Sequence, residues 1–113
     1  MMRALCPVDD IAEGEARGFP PPPGGLIGLF ALRRHGEVKV YVNACPHLGV
    51  SLDWAAGRFL DEAGELIVCA THGARFRPED GLCLAGPCRG DRLEAVLTEI
   101  NDGMLCVPED AGQ

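Results

Sequence analysis

Cys45-Pro46-His47-Leu48-Gly49 and Cys69-Ala70-Thr71-His72-Gly73-Ala74-Arg75-Phe76 are the stretches that decide how this chain of 113 residues is read. Each offers one thiol and one imidazole within a few residues. Each pair is followed by a glycine, which lets a loop fold tightly around whatever the ligands hold. Two short loops of that composition read as a metal site. The order of ligands matters, because the commonest structural zinc spacing puts a Cys pair before a His pair. Here each loop supplies one of each.

The pattern C-x-H followed by C-x-x-H resembles the Rieske family of iron–sulfur proteins, in which two Cys bind one iron and two His the other, bridged by sulfides. The resemblance implies one [2Fe-2S] cluster, with Cys45 and Cys69 on the first iron and His47 and His72 on the second. It extends to Gly81 and Gly86-Pro87, which match the loop that covers the cluster's third side. The spacer from His47 to Cys69 is longer than in many members, and the surplus falls in a hairpin around Asp61-Glu62-Ala63-Gly64.

Two departures bear on the potential. In members that resemble respiratory-complex subunits, a Ser two residues after the second His and a Tyr two further on donate hydrogen bonds to sulfur. Ala74 and Phe76 stand at those positions, and neither side chain can donate. Those members also carry an extra, disulfide-paired Cys in each loop, where this chain has Val50 and Ala70. The chain is in both respects similar to soluble Rieske ferredoxins and oxygenase-type clusters. A potential in the lower part of the family range, roughly −150 to +300 mV, is implied. By the same resemblance His47 and His72 are the electron exit.

Working outward, the flanks read as strands. Ala4 to Val8 is a short apolar run and Ile11 to Phe19 a weaker one, before Pro20-Pro21-Pro22-Pro23-Gly24-Gly25, a stiff surface connector that excludes helix and central strand. Leu26 to Arg33 and Val38 to Asn43 form a hairpin turning at Arg34-His35-Gly36. Val38, Val40 and Val42 share one face; Lys39, Tyr41 and Asn43 share the other. Phe59-Leu60 and Leu66-Ile67-Val68 make a second hairpin leading into Cys69, so both ligand loops are mounted on hairpin ends. Trp54 between them packs the cluster-bearing part. After a turn at Glu79-Asp80-Gly81, Leu82 to Leu84 is a short strand and Leu93 to Ile100 a long one. Asn101-Asp102-Gly103 turns that strand into Met104 to Val107. No stretch carries a 3.6-residue stripe. The class is all-β: a Rieske-like antiparallel β-sandwich, one domain over residues 1–113, with an inserted cluster-binding subdomain at about 44–88.

A single domain leaves no room for the separate catalytic domain of an oxygenase large subunit. The formal net charge of −7 disfavours nucleic acid and suits a basic protein surface. The amino terminus reads as neither a signal peptide nor a twin-arginine leader, and no run approaches a membrane span, so a cytoplasmic protein is expected. In that reducing compartment the six Cys are not a disulfide framework. Cys6, Cys83 and Cys106 read as small buried hydrophobes, and Cys88 as a near-surface side chain close to the cluster. No nucleophile–base pair or phosphate-cradling loop stands out. The expected function is a monomeric one-electron carrier, not an enzyme, between a flavin-dependent reductase and a terminal oxygenase or similar oxidoreductase. The alternatives are a small or regulatory subunit of a nitrite-reductase-like complex and a structural Cys₂His₂ zinc module.

Overall fold

The computed structural model describes residues 2–21, 27–46, 52, 58–69 and 73–111. In chain order the elements are β1 (Met2–Pro7), a 3-10 turn (Val8–Asp10), β2 (Ala16–Phe19), β3 (Leu29–Arg34), β4 (Glu37–Val42) and β5 (Ile67–Val68). They continue with β6 (Arg75–Phe76), β7 (Cys83–Ala85), β8 (Ala95–Val96), β9 (Glu99–Asn101) and β10 (Met104–Pro108). The described residues hold no α-helix, and no helix is long and apolar enough to cross a membrane. The all-β expectation is met by three sheets, ordered β1-β10-β9, β2-β3-β4-β8 and β5-β6-β7. Every pairing is antiparallel.

Turn chemistry sets two of the registers. Arg34 pairs with Glu37, leaving His35 and Gly36 as a two-residue loop with φ of 53° and 77°. Asn101 pairs with Met104 around Asp102 and Gly103, at 52° and 77°. Positive φ at both central positions is the turn whose twist matches a β-hairpin. His35 is accordingly an exposed turn residue.

The β3–β4 hairpin is a wall with a core on each side. Leu29 and Ala31 of β3 and Val40 and Val42 of β4 join Cys6, Leu105 and Val107 of the first sheet in one cluster. Phe30, Leu32 and Tyr41 point the other way, into a cluster with Phe59, Ile67, Phe76 and Cys83. The alternation along β4 was legible, but both of its faces are covered: Val40, Tyr41 and Val42 are all buried. Phe30 stacks on Phe59 with ring centroids 4.5 Å apart and planes 7° from parallel, an arrangement adding about 0.5–1.5 kcal/mol to simple burial. Gly18 on β2 makes room for it, since a Cβ there would sit 3.1 Å from the Phe59 ring.

Several expected boundaries move. The long strand over Leu93 to Ile100 is two short ones: β8 pairs with β4 in the second sheet and β9 with β10 in the first. The chain changes sheets at Leu97-Thr98, so one continuous strand could not serve both. Of the run Ile11 to Phe19 only Ala16–Phe19 is paired, because the preceding segment turns at Glu13-Gly14. The third strand begins at Leu29, and the fourth ends at Val42. β7 is shifted by one residue to Cys83–Ala85, Leu82 making an isolated bridge to Arg92. Trp54 and part of the proline connector, from Pro22 on, lie outside the described residues.

Tyr41 ties the wall to the part that carries the third sheet. Its hydroxyl donates to the Pro78 carbonyl at 2.7 Å. Burial, helped by Asp80 and Glu79, pushes the phenol up to about 12. Tyr41→Phe is expected to cost about 1 kcal/mol in urea unfolding. A raised folded-state pKa contributes stability that is complete below the phenol's ordinary value of 10 and lost as pH rises toward 12. Wild-type stability should fall over that interval more steeply than that of Y41F, and parallel curves would contradict the assignment.

Candidate metal centre

Cys45 lies just beyond β4, and its position follows from how that strand ends. Val42 N–H donates to the Glu94 carbonyl and Asn43 N–H to the Gly28 carbonyl, both at 2.9 Å. The Asn43 side-chain oxygen then accepts the Leu52 N–H at 2.8 Å. One amide thus pins the two ends of the segment that runs from Cys45 to Leu52. The sequence placed Asn43 simply on a strand face; the signal was a residue that caps loops standing at a strand end.

Cys69 follows β5 and opens the loop that β6 closes. Val68 pairs with Arg75, Cys69 N–H donates to the Ala74 carbonyl at 2.8 Å, and Gly73 N–H returns to the Cys69 carbonyl at 2.9 Å. Gly73 has a φ of 68°, the conformation the motif's glycine was expected to supply. The spacer hairpin forms as read: Leu60 bridges Ile67, and the Asp61 carboxylate accepts the Glu65 N–H at 2.9 Å. That backbone donor is the main reason the Asp61 carboxyl is held below its ordinary value.

A third loop follows β7. Gly86 has a φ of 104° and lies against the second ligand loop; a Cβ there would sit 2.7 Å from Ala74 Cα. Behind it, Asp91 N–H donates to the Cys88 carbonyl and Cys83 N–H to the Asp91 carbonyl, both at 2.8 Å. The third loop therefore clamps onto the second with no space for a side chain between them.

The structure brings Cys45 and Cys69 into one buried cluster at 1% and 0% exposure. His47 and His72 lie outside the described residues. Cys88 corrects its expectation: it is not near the surface but buried at 2%, with its sulfur 2.9 Å from Cys83 Sγ. Burial first, then the Cys83 hydrogen bond, pushes its thiol up to about 12. All six cysteines are buried and none forms a disulfide. Ala74 and Phe76 are fully buried, so the positions that lack donors are packed against the centre's core rather than wet.

Charge is uneven around this frame. Residues 93–113 carry five acids and no Lys or Arg, whereas residues 58–92 set five Arg against six acids. Arg75 pairs with Asp61 at 3.6 Å, and Arg77 and Arg92 both with Asp80. The acidic surplus therefore belongs to the last strands and not to the ligand loops.

The sequence profile of the Rieske [2Fe-2S] domain matches residues 2–101. The chain belongs to that family. Among curated relatives, the cytochrome b6-f complex iron-sulfur subunit of Chlorobaculum tepidum is 30% identical over 105 residues, covering 88% of this chain and 54% of that protein. The chain thus spans about half the length of that relative. Among solved structures, Sphingomonas yanoikuyae B1 ferredoxin superposes with a TM-score of 0.71 at 26% identity, covering 95% of this chain and 97% of that one. A chain in the complex of reduced oxygenase and oxidized ferredoxin of carbazole 1,9a-dioxygenase superposes with a TM-score of 0.74 at 22% identity, covering 96% and 93%. These likenesses confirm the Rieske fold, and the family's cofactor is one [2Fe-2S] cluster.

The residues present suit that group. Two buried thiols on adjoining loops, neither in a disulfide, would supply one iron's sulfur ligands, and the enclosing loops leave them dry. Gly86→Ala in this Rieske chain tests the loop packing. It combines a non-glycine residue at positive φ with a backbone clash, and is expected to destabilise the fold by about 2 kcal/mol and to hasten iron loss. A variant that melts with the wild type would contradict the close approach.

Proposed function

We propose that the chain is a one-electron carrier, with no catalysis of its own, between a flavin-dependent reductase and a terminal oxygenase or similar oxidoreductase. The observation that carries the reading is the pair of buried thiols, Cys45 and Cys69, each set at the end of a hydrogen-bonded hairpin in a Rieske fold. In this reading Cys45 and Cys69 hold one iron, His47 and His72 hold the other, and residues 44–88 form the cluster-binding part of a single domain. When bound, the cluster accepts and releases one electron at a potential above that of all-Cys clusters, because neutral imidazoles replace two thiolates. The chain's own part is to hold the ligands still and dry. Hairpins and the Gly86–Ala74 contact leave little to rearrange between redox states. Two relatives support the direction of the reading: a ferredoxin matched over nearly the whole of both chains, and a complex of ferredoxin with oxygenase. Six cysteines without a disulfide fit work in the reducing cytoplasm, and in this reading the carrier is a monomer.

Two experiments test this. Cys45→Ser and Cys69→Ser should each lose the visible absorption and the acid-labile sulfide while keeping the β-rich circular dichroism. Retention of a full cluster by either variant would remove that residue from the ligand set. For the carrier role, NADH with a flavoprotein ferredoxin reductase should reduce the holoprotein, and cytochrome c reduction should then depend on its concentration. A holoprotein with no effect on that rate would count against electron carriage. Its midpoint should fall in the lower part of the range from roughly −150 to +300 mV.

A further inference from the structure

The sandwich is open where the chain passes from β8 to β9. Leu97 is 69% exposed and Ile100 52%, and the two stand within about 11 Å of each other along the chain. Ile100 opposes Leu105, so they share a face, and Leu105 is fully buried in the core between the β3–β4 wall and the first sheet. Ile100 therefore carries that apolar layer past the edge of its sheet and into water. Single exposed aliphatic side chains are ordinary on a protein surface. What sets this pair apart is the charge around it.

Glu94, Glu99, Asp102, Glu109 and Asp110 are the five acids of residues 93–113, which hold no Lys or Arg. All five are exposed, and none is in an ion pair among the described residues. Glu94, Glu99 and Asp102 flank the aliphatic pair in sequence. Glu99 opposes Cys106, which puts the end of β10, with Glu109-Asp110 after it, at the level where the chain arrives from Leu97. The cations of the adjoining strands are already engaged. Lys39 of β4 pairs with Glu37 at 3.4 Å, and Arg3 of β1 donates to the Ala111 carbonyl at 3.0 Å.

We propose that this open edge is a docking surface for a positively charged protein, with Leu97 and Ile100 as its dry centre and the five acids as its rim. The occupant follows from charge and shape. Unpaired charges of one sign draw the opposite sign over a Debye length, about 10 Å at 0.1 M salt, and so favour a surface bearing Lys and Arg. A second copy of this chain would set acid against acid across a two-fold interface. An added strand is discouraged as well, because β9 is three residues long and carries Glu99, with Asp102 at its turn. The surface also lies apart from the ligand loops. β8 runs level with Tyr41 and then Val40, toward the turn end of β4, whereas Cys45 follows the other end.

The test titrates ¹⁵N-labelled oxidised holoprotein with ferric cytochrome c, a strongly basic protein, at low ionic strength, and reads the amide shifts by NMR. Both proteins are oxidised, so no electron moves and the result is independent of the carrier reading. Shift changes should map to residues 94–102 and 109–110. E94Q/E99Q/D102N should weaken binding about fivefold and flatten its salt dependence. L97S/I100S should weaken it about threefold and keep the wild-type salt dependence. E62Q/E65Q, which removes acids of the spacer hairpin, should bind like the wild type. Every substituted side chain is exposed, so all variants should melt with the wild type; should L97S/I100S melt early, L97S alone takes its place. Shift changes confined to the ligand loops or the spacer hairpin, equal affinities across the variants, or no binding at all would overturn the proposal. So would sedimentation of a dimer that L97S/I100S dissolves, which would give the edge to a second copy.

Discussion

The two-faced β3–β4 hairpin is the constraint on which the rest of the molecule depends. A strand pair in the middle of a layered protein must be apolar on both sides, and Phe30, Leu32 and Tyr41 alternate with Leu29, Ala31, Val40 and Val42 to that end. Its turn is held from outside by Glu13, whose carboxylate accepts the His35 N–H at 2.6 Å and the Gly36 N–H at 2.9 Å. Those backbone donors hold the Glu13 carboxyl below its ordinary value. The register is thus fixed at the turn end, and the opposite end delivers Cys45 to a defined place.

From that wall the centre is built by three loops leaning on one another. The first is anchored through Asn43 and Leu52, the second by the β5–β6 pairing, and the third by the contact of Gly86 with Ala74. None of these segments is long enough to be stable alone, since strands of two or three residues contribute few ladder bonds. Their order comes from packing against Phe59, Phe76 and Leu93 in the shared core. Excluding water from the sulfurs and keeping them still are the same structural act here, which is what a centre that exchanges electrons needs.

Much of this was legible in the sequence, and the exceptions have physical reasons. The Rieske family, the two hairpin turns and the all-β class were readable because they rest on local chemistry: the Cys/His spacing, His-Gly and Asp-Gly turns, and period-two alternation. The division of residues 93–100 between two sheets was not, because a strand that switches sheets keeps its apolar pattern while changing partners. The second buried face of β4 was hidden for a similar reason: a tyrosine between valines reads as half-exposed until a third sheet covers it. Cys88 was misplaced because a Pro-Cys pair in a loop gives no sign of which way the loop folds, and only the clamp onto Ala74 turns it inward. Asn43 and Gly86 act through contacts distant in sequence, which residue spacing does not encode.

The account stands most directly on the low-temperature EPR spectrum of the dithionite-reduced protein, recorded with iron, zinc and sulfide analysis of the same sample. Mixed ligation by Cys45, Cys69, His47 and His72 predicts a rhombic signal with an average g well below that of all-Cys clusters, from a sample with equal iron and sulfide. A colourless, silent sample containing zinc would contradict it, leaving the fold in place and removing the electron from its function.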